Sequence, residues 1–265
     1  MDQLDHFRID GLVARGGMAS VFRATDLRTG KRVALKVPHS AADAMAPERQ
    51  TGHPGVVRVL ESGPAYVAME WVEGWTLRSV LETEGRLNTE RAFRIAISIC
   101  DALEYLHSEG VVHRDLKPEN IMLSDRDEVK LLDVGGGVMG TPDYISPEQV
   151  EGKEPDKRSD IYSLGVILFE MVTGKVPFEG DTPLLAMNMR LRRPAPRLSE
   201  VPALIYKALA RDPKKRFEGA EAFAEALAKP VYRVEFKEER VLLFSAIAMI
   251  PGVLFALLSY VANLQ

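Results

Sequence analysis

The spacing of apolar residues changes period once along the chain, and that change limits the fold more than any other feature. Up to residue 72 apolar residues alternate in short runs, at 9–15, 20–25, 32–38, 56–61 and 66–71, divided by bends such as Ser62-Gly63-Pro64. From Thr76 onward they recur at intervals of three and four. Residues 89–108 carry Phe93, Ile97, Cys100, Leu103 and Leu106 on one stripe, with Asn88 placed to cap the helix they predict. Residues 160–173 are apolar on nearly every side and predict a core helix; residues 220–228 predict a further short one. A small β-rich part followed by a larger helical part makes this an α+β chain, and no internal repeat interrupts it.

With 265 residues, 46% of them apolar and 27% charged, the chain can bury a core and hold one or two domains. Its formal net charge of −4 gives no electrostatic basis for nucleic-acid binding. Cys100 is the sole cysteine, so no intrachain disulfide can form, and its place on the apolar stripe makes it a core residue.

The most specific chemistry lies in His113-Arg114-Asp115-Leu116-Lys117-Pro118-Glu119-Asn120. A carboxylate, an ammonium and a carboxamide stand there on one short loop. That set can orient a hydroxyl nucleophile, neutralise a phosphoryl group in transfer and hold a divalent metal ion. The eight residues resemble the catalytic loop of the eukaryotic-type protein kinases. Lysine at position 117 and the stretch Gly140-Thr141-Pro142-Asp143-Tyr144-Ile145-Ser146-Pro147-Glu148 are similar to bacterial membrane-anchored serine/threonine protein kinases.

The resemblance covers residues 7–228 and implies a two-lobe protein-kinase fold, with an N-lobe over 1–72 and a C-lobe over 73–228. It implies Asp115 as the group that orients the acceptor hydroxyl and Lys117 as the cation on the γ-phosphoryl group. Asn120 and Asp133, the latter in Asp133-Val134-Gly135, would hold magnesium, with manganese as the alternative ion. Lys36 in Val33-Ala34-Leu35-Lys36 would reach the α- and β-phosphates of ATP. Val21, Ala34, Met69 and Met122 would enclose adenine, and backbone groups of Glu70 and Val72 would bond it. Gly16 and Gly17 would let the backbone approach phosphate oxygens. The implied partners are ATP and proteins offering serine or threonine hydroxyls. Glu148 would pair with Arg216, and Asp160 would accept bonds from the catalytic-loop backbone.

Three departures stand beside these matches. Ala14 and Ala19 occupy glycine places of the phosphate-covering loop. Sixteen residues separate Lys36 from His53, and Pro47 interrupts them, so no glutamate there takes the family's register as partner of Lys36; Glu48 is the nearest. Between Asp133 and Gly140 there is no serine, threonine or tyrosine, so Arg114 lacks the phosphorylated partner usual in the family. They motivate the alternative of a catalytically impaired pseudokinase acting as a nucleotide-binding membrane scaffold. A small-molecule kinase is a third reading, against which the Gly140 to Glu148 segment argues.

Residues 241–265 contain no charge. As a helix they would extend about 37 Å, enough for a bilayer core. A transmembrane helix is expected over 241–261 after a juxtamembrane segment at 229–240. Lys229, Arg233, Lys237 and Arg240 precede the span and no Lys or Arg follows it, which places residues 1–240 in the cytoplasm. Met1 to Asp10 does not read as a signal peptide. A homodimer through the span is conceivable, although no Gly-x-x-x-Gly pattern supports it.

Overall fold

The computed structural model describes residues 2–40, 52–134 and 141–229. Its N-terminal lobe is one antiparallel sheet of β1 (Gln3–Leu4), β2 (Phe7–Arg15), β3 (Ala19–Asp26), β4 (Arg32–Pro38), β5 (Val59–Gly63) and β6 (Tyr66–Glu70), ordered β1-β2-β3-β4-β6-β5. Register shifts between Ile9 and Gly11 and between Leu12 and Ala14 bend β2, as extra residues in one strand do. At the β3–β4 turn the buried Asp26 carboxylate accepts from Arg28 N (2.8 Å) and Thr29 Oγ1 (3.0 Å).

Alternation along β4 decides what faces the cleft. Val33 and Leu35 join Phe7, Ala24, Tyr66 and Ala68 in one core. Ala34 turns the other way and packs on Val57, Val59, Val67 and Met69.

One strand differs from expectation. The run at 56–61 predicts a single strand, but β5 starts at Val59. Val57 N instead donates to Leu131 O (2.9 Å), and Leu131 N to Gly55 O (2.8 Å). Val56, bridged to Leu131, and Val57 are still buried by strand-like pairing, but with the other lobe, and apolar spacing carries no record of which partner a strand takes.

The helical lobe holds a small sheet of β7 (Trp75–Thr76), β8 (Ile121–Leu123) and β9 (Val129–Leu131). Around it lie α1 (Leu77–Glu84), α2 (Thr89–Ser108), α3 (Pro147–Val150), α4 (Lys157–Thr173), α5 (Pro183–Arg192), α6 (Ala203–Ala208) and α7 (Ala220–Ala228). The limits of α2 and α7 are those expected, and Asn88 caps α2 by accepting Arg91 N at 2.8 Å. α2 buries Phe93, Ile95, Ile99, Leu103 and Leu106 and packs on α4 and α7. At roughly 1.5–3 kcal/mol for each large apolar side chain removed from water, that stripe is a main source of the lobe's stability. α4 is buried on all sides, as expected, but begins at Lys157 because the Asp156 carboxylate caps it through Arg158 N (2.8 Å).

The lobes are joined through Gly74, whose φ is +131°. A Cβ there would lie 2.1 Å from the Leu123 carbonyl oxygen, so only glycine fits. Among the described residues no helix is long and apolar enough to cross a membrane. The expected span at 241–261 and nearly all of its juxtamembrane segment lie outside the described residues.

Candidate active site

The loop between α2 and β8 carries the catalytic-loop motif, and one buried carboxylate sets its shape. Asp160 on α4 accepts His113 N (2.9 Å) and His107 Nε2 (2.8 Å) on Oδ2, and Arg114 N (3.0 Å) on Oδ1. Arg114 has φ +70°, a left-handed conformation that costs a non-glycine residue energy. The bond from Asp160 to its N–H offsets that cost and turns Asp115 toward the cleft.

Asp115 is then surrounded by donors. Thr141 N and Thr141 Oγ1 both reach Oδ1 at 2.8 Å, and Lys117 Nζ reaches Oδ2 at 2.8 Å. Lys117 Nζ also donates to Thr141 Oγ1 (2.8 Å). A 3-10 turn over Pro118–Asn120 brings Asn120 back, so that its Nδ2 donates to the Asp115 carbonyl (2.8 Å). With Nδ2 so used, Asn120 Oδ1 is the atom that can face a metal ion. Leu132 N donates to Asn120 O (2.9 Å), which sets Asp133 one residue beyond.

Across the cleft, Lys36 is buried and its Nζ donates to Asp133 Oδ1 at 2.7 Å. The structure thus brings together Lys36, Asp115, Lys117, Asn120 and Asp133 from three separate segments. Their hard oxygen donors, two carboxylates and one carboxamide beside two ammonium groups, suit magnesium and phosphate oxygens. Glu48 and the rest of 41–51 lie outside the described residues, as does Gly135.

The apolar candidates take up two walls. Ala34, Met69 and Val72 fall in one packed cluster with Leu132. Val21 stands opposite Lys36 in the β3–β4 register, and the half-buried Met122 lies on β8 beside Lys130. At Glu70 the backbone N–H already donates to Arg58 O (2.9 Å), so it is not open to a base. The Glu70 side chain is also engaged, accepting Lys130 Nζ (2.5 Å) and Arg58 N (3.0 Å).

Gly16 and Gly17 sit at the exposed bend between β2 and β3, closed by Gly16 N to Ala19 O (2.9 Å). His39, which the sequence pattern did not single out, staples this bend. Its N–H donates to Met18 O (2.8 Å), and its ring contacts Ser20 Oγ (2.9 Å) and Gly17 O (3.2 Å).

Beyond Thr141 the chain is anchored by ion pairs. Glu148 takes a two-pronged contact from Arg216 (2.6 and 2.7 Å) and a bond from Ser159 Oγ (2.7 Å). Burial opposes ionisation of Glu148, but the Arg216 guanidinium prevails and holds its pKa below the usual carboxylate range. Tyr144 donates to Glu170 (2.7 Å) and accepts from Arg78, which also grips Glu119 at 2.8 Å. Burial, reinforced by the Glu170 charge, raises the Tyr144 phenol well above its ordinary pKa. Arg114, expected to lack a phosphorylated partner, meets the carboxylate of Glu154 at 2.9 Å on the exposed surface. Periodicity could not flag Arg78, Glu154 or Glu170, because their partners lie 26 to 92 positions away.

A lysine on the strand above the cleft, an aspartate and lysine on the loop below and a second aspartate between them define a protein kinase site. The chain belongs to the protein kinase domain family, whose sequence pattern matches residues 7–231. Among its relatives, the serine/threonine-protein kinase PknB of Mycobacterium tuberculosis is 35% identical over 258 aligned positions, covering 82% of this chain and 41% of PknB. The serine/threonine-protein kinase pkn3 of Myxococcus xanthus is 38% identical, over 83% of this chain and 49% of its own length. A probable serine/threonine-protein kinase of Streptomyces coelicolor is 35% identical, over 81% of this chain and 38% of its own. The chain therefore spans less than half the length of these relatives. In the PknB comparison, 258 positions exceed the residues that 82% of a 265-residue chain supplies, so PknB carries residues inside the matched stretch that this chain does not. That is in keeping with the short intervals after Lys36 and Asp133.

Proposed function

We propose that this chain transfers the γ-phosphoryl group of ATP to serine or threonine hydroxyls of proteins, with magnesium as the cofactor. The observation that carries this reading is the convergence of Thr141 N, Thr141 Oγ1 and Lys117 Nζ on the Asp115 carboxylate, all at 2.8 Å. Asp115 orients the acceptor hydroxyl and takes its proton, while Lys117 stabilises charge on the transferring group. Lys36 holds the α- and β-phosphates. Asn120 and Asp133 would hold magnesium, which supplies charge neutralisation at the phosphates. Val21, Ala34, Met69, Val72 and Met122 exclude water from adenine, which the Glu70 carbonyl and the Val72 backbone bond. Gly16 and Gly17 cover the phosphates.

The three kinases named above are similar over the domain, which supports the same acceptor class here. The domain limits 1–72 and 73–228 and a membrane anchor at 241–261 complete the proposal, the anchor resting on the uncharged run.

The test incubates the full chain with labelled ATP, magnesium and a generic basic protein, beside Asp133→Asn. Transfer by wild type well above the variant is the expected result. Nucleotide binding with no transfer above the variant would establish the scaffold reading instead. The anchor is tested by alkaline washing of membranes carrying the full chain or a chain ending at residue 240; equal release of both would remove it.

A further inference from the structure

Two buried arginines hold residues 141–148 from beneath. One is Arg216, paired with Glu148. The other is Arg190 on α5, only 1% exposed. Its Nη1 donates to the carbonyls of Pro142 (2.5 Å) and Ile145 (2.8 Å), and its Nη2 to that of Asp143 (2.8 Å). Among the described residues it forms no ion pair, its Nε has no hydrogen-bond partner, and its guanidinium carbon lies over the Phe178 ring, 5.7 Å from the centroid. Burial presses the guanidinium toward a lower pKa.

Taking a charge this deep without a paired carboxylate is costly, and the three carbonyl dipoles together with the face of the Phe178 ring offset it. Three carbonyls converging on one planar fork require residues 142–145 to curl around it in one conformation. Thr141, at the start of that curl, is the residue that meets Asp115 and Lys117. Arg190 is thus two steps from the reacting groups, through backbone alone.

We propose that Arg190 is a positioning residue that presets residues 141–148, the segment that the family resemblance makes the docking platform for the acceptor peptide, so that an acceptor protein meets a formed surface. This rests on the kinase reading of the site. It gives α5 a role in substrate affinity, independent of nucleotide.

The experiment compares the full chain with Arg190→Met and Arg190→Lys. It reads amide hydrogen exchange in residues 141–148, and steady-state kinetics with a generic basic protein and with ATP varied in turn. Arg190→Met is expected to raise exchange in that segment and to raise KM for the protein about tenfold, with KM for ATP unchanged. Arg190→Lys, which keeps the charge but loses the fork, is expected to recover part of both. Should Arg190→Met fail to fold, Arg190→Lys decides by the same criteria, with an intermediate shift expected. Wild-type exchange and protein KM in the folded variant would overturn the proposal, as would a parallel rise of both KM values with exchange rising equally in α2 and α4. If wild type transfers no phosphate, the kinase reading fails, and exchange in 141–148 alone decides whether Arg190 sets this segment.

Discussion

Replacing Asp160 by asparagine keeps shape and removes one acceptor. In the native structure Oδ2 serves His113 N and His107 Nε2 while Oδ1 serves Arg114 N. An asparagine has one oxygen and one amino group. If the oxygen stays with His113 N, the amino group faces Arg114 N. If it stays with Arg114 N, the His107 ring can change tautomer and accept, since its Nδ1 has no partner among the described residues, but His113 N then faces a donor. Either way one backbone N–H loses its acceptor in a place where Asp160 is 1% exposed. The unsatisfied donor and the weaker neutral acceptor together should cost about 2–4 kcal/mol. In a domain of this size that corresponds to a melting shift of roughly 5–15 °C. With Arg114 released from φ +70°, Asp115 loses its alignment, and turnover should fall about a hundredfold. Thermal unfolding of the full chain and phosphate transfer to a basic protein measure the two effects. A variant that melts within about 1 °C of wild type and turns over equally would refute the assignment of Asp160 as the organiser of the loop.

Asp115→Asn should lower kcat by about 10²–10⁴ with little change in nucleotide affinity; equal losses of both would contradict its role with the acceptor hydroxyl. Because the folded pKa of Glu148 lies below its unfolded value, near 4.3, its contribution is whole above that pH and fades as pH falls through the folded value. The urea midpoint of wild type should therefore drop more steeply below about pH 5 than that of the Glu148→Gln/Arg216→Met double variant, and parallel curves would oppose this. Gly74→Ala, forced to φ +131° with its Cβ 2.1 Å from Leu123 O, should cost at least about 2 kcal/mol; a chemical-denaturation midpoint equal to wild type would show that the interlobe linker relaxes freely.

Local rules were enough where a residue's fate depends on its near neighbours. The stripe of α2 and its Asn88 cap, the end of α7 and the alternation of β4 follow from spacing, because a helix or strand presents one face at a fixed period. The Asp115, Lys117 and Asn120 set was readable because five residues of chain confine those groups to one loop. Tertiary structure alone decided the rest. The spacing of Val56 and Val57 cannot tell whether they pair within the sheet or with Leu131 on the other lobe. The family resemblance put Lys36 and Asp133, 97 positions apart, at one nucleotide site, but only the fold shows that Nζ and Oδ1 themselves meet at 2.7 Å. Arg190 reads as one more basic residue at the end of a helix, and only folding buries it and gives it three carbonyls. The sequence determined which chemical groups are present and the local geometry of each; long-range packing determined which of them face one another, since burial and charge pairing act through space and leave no period along the chain.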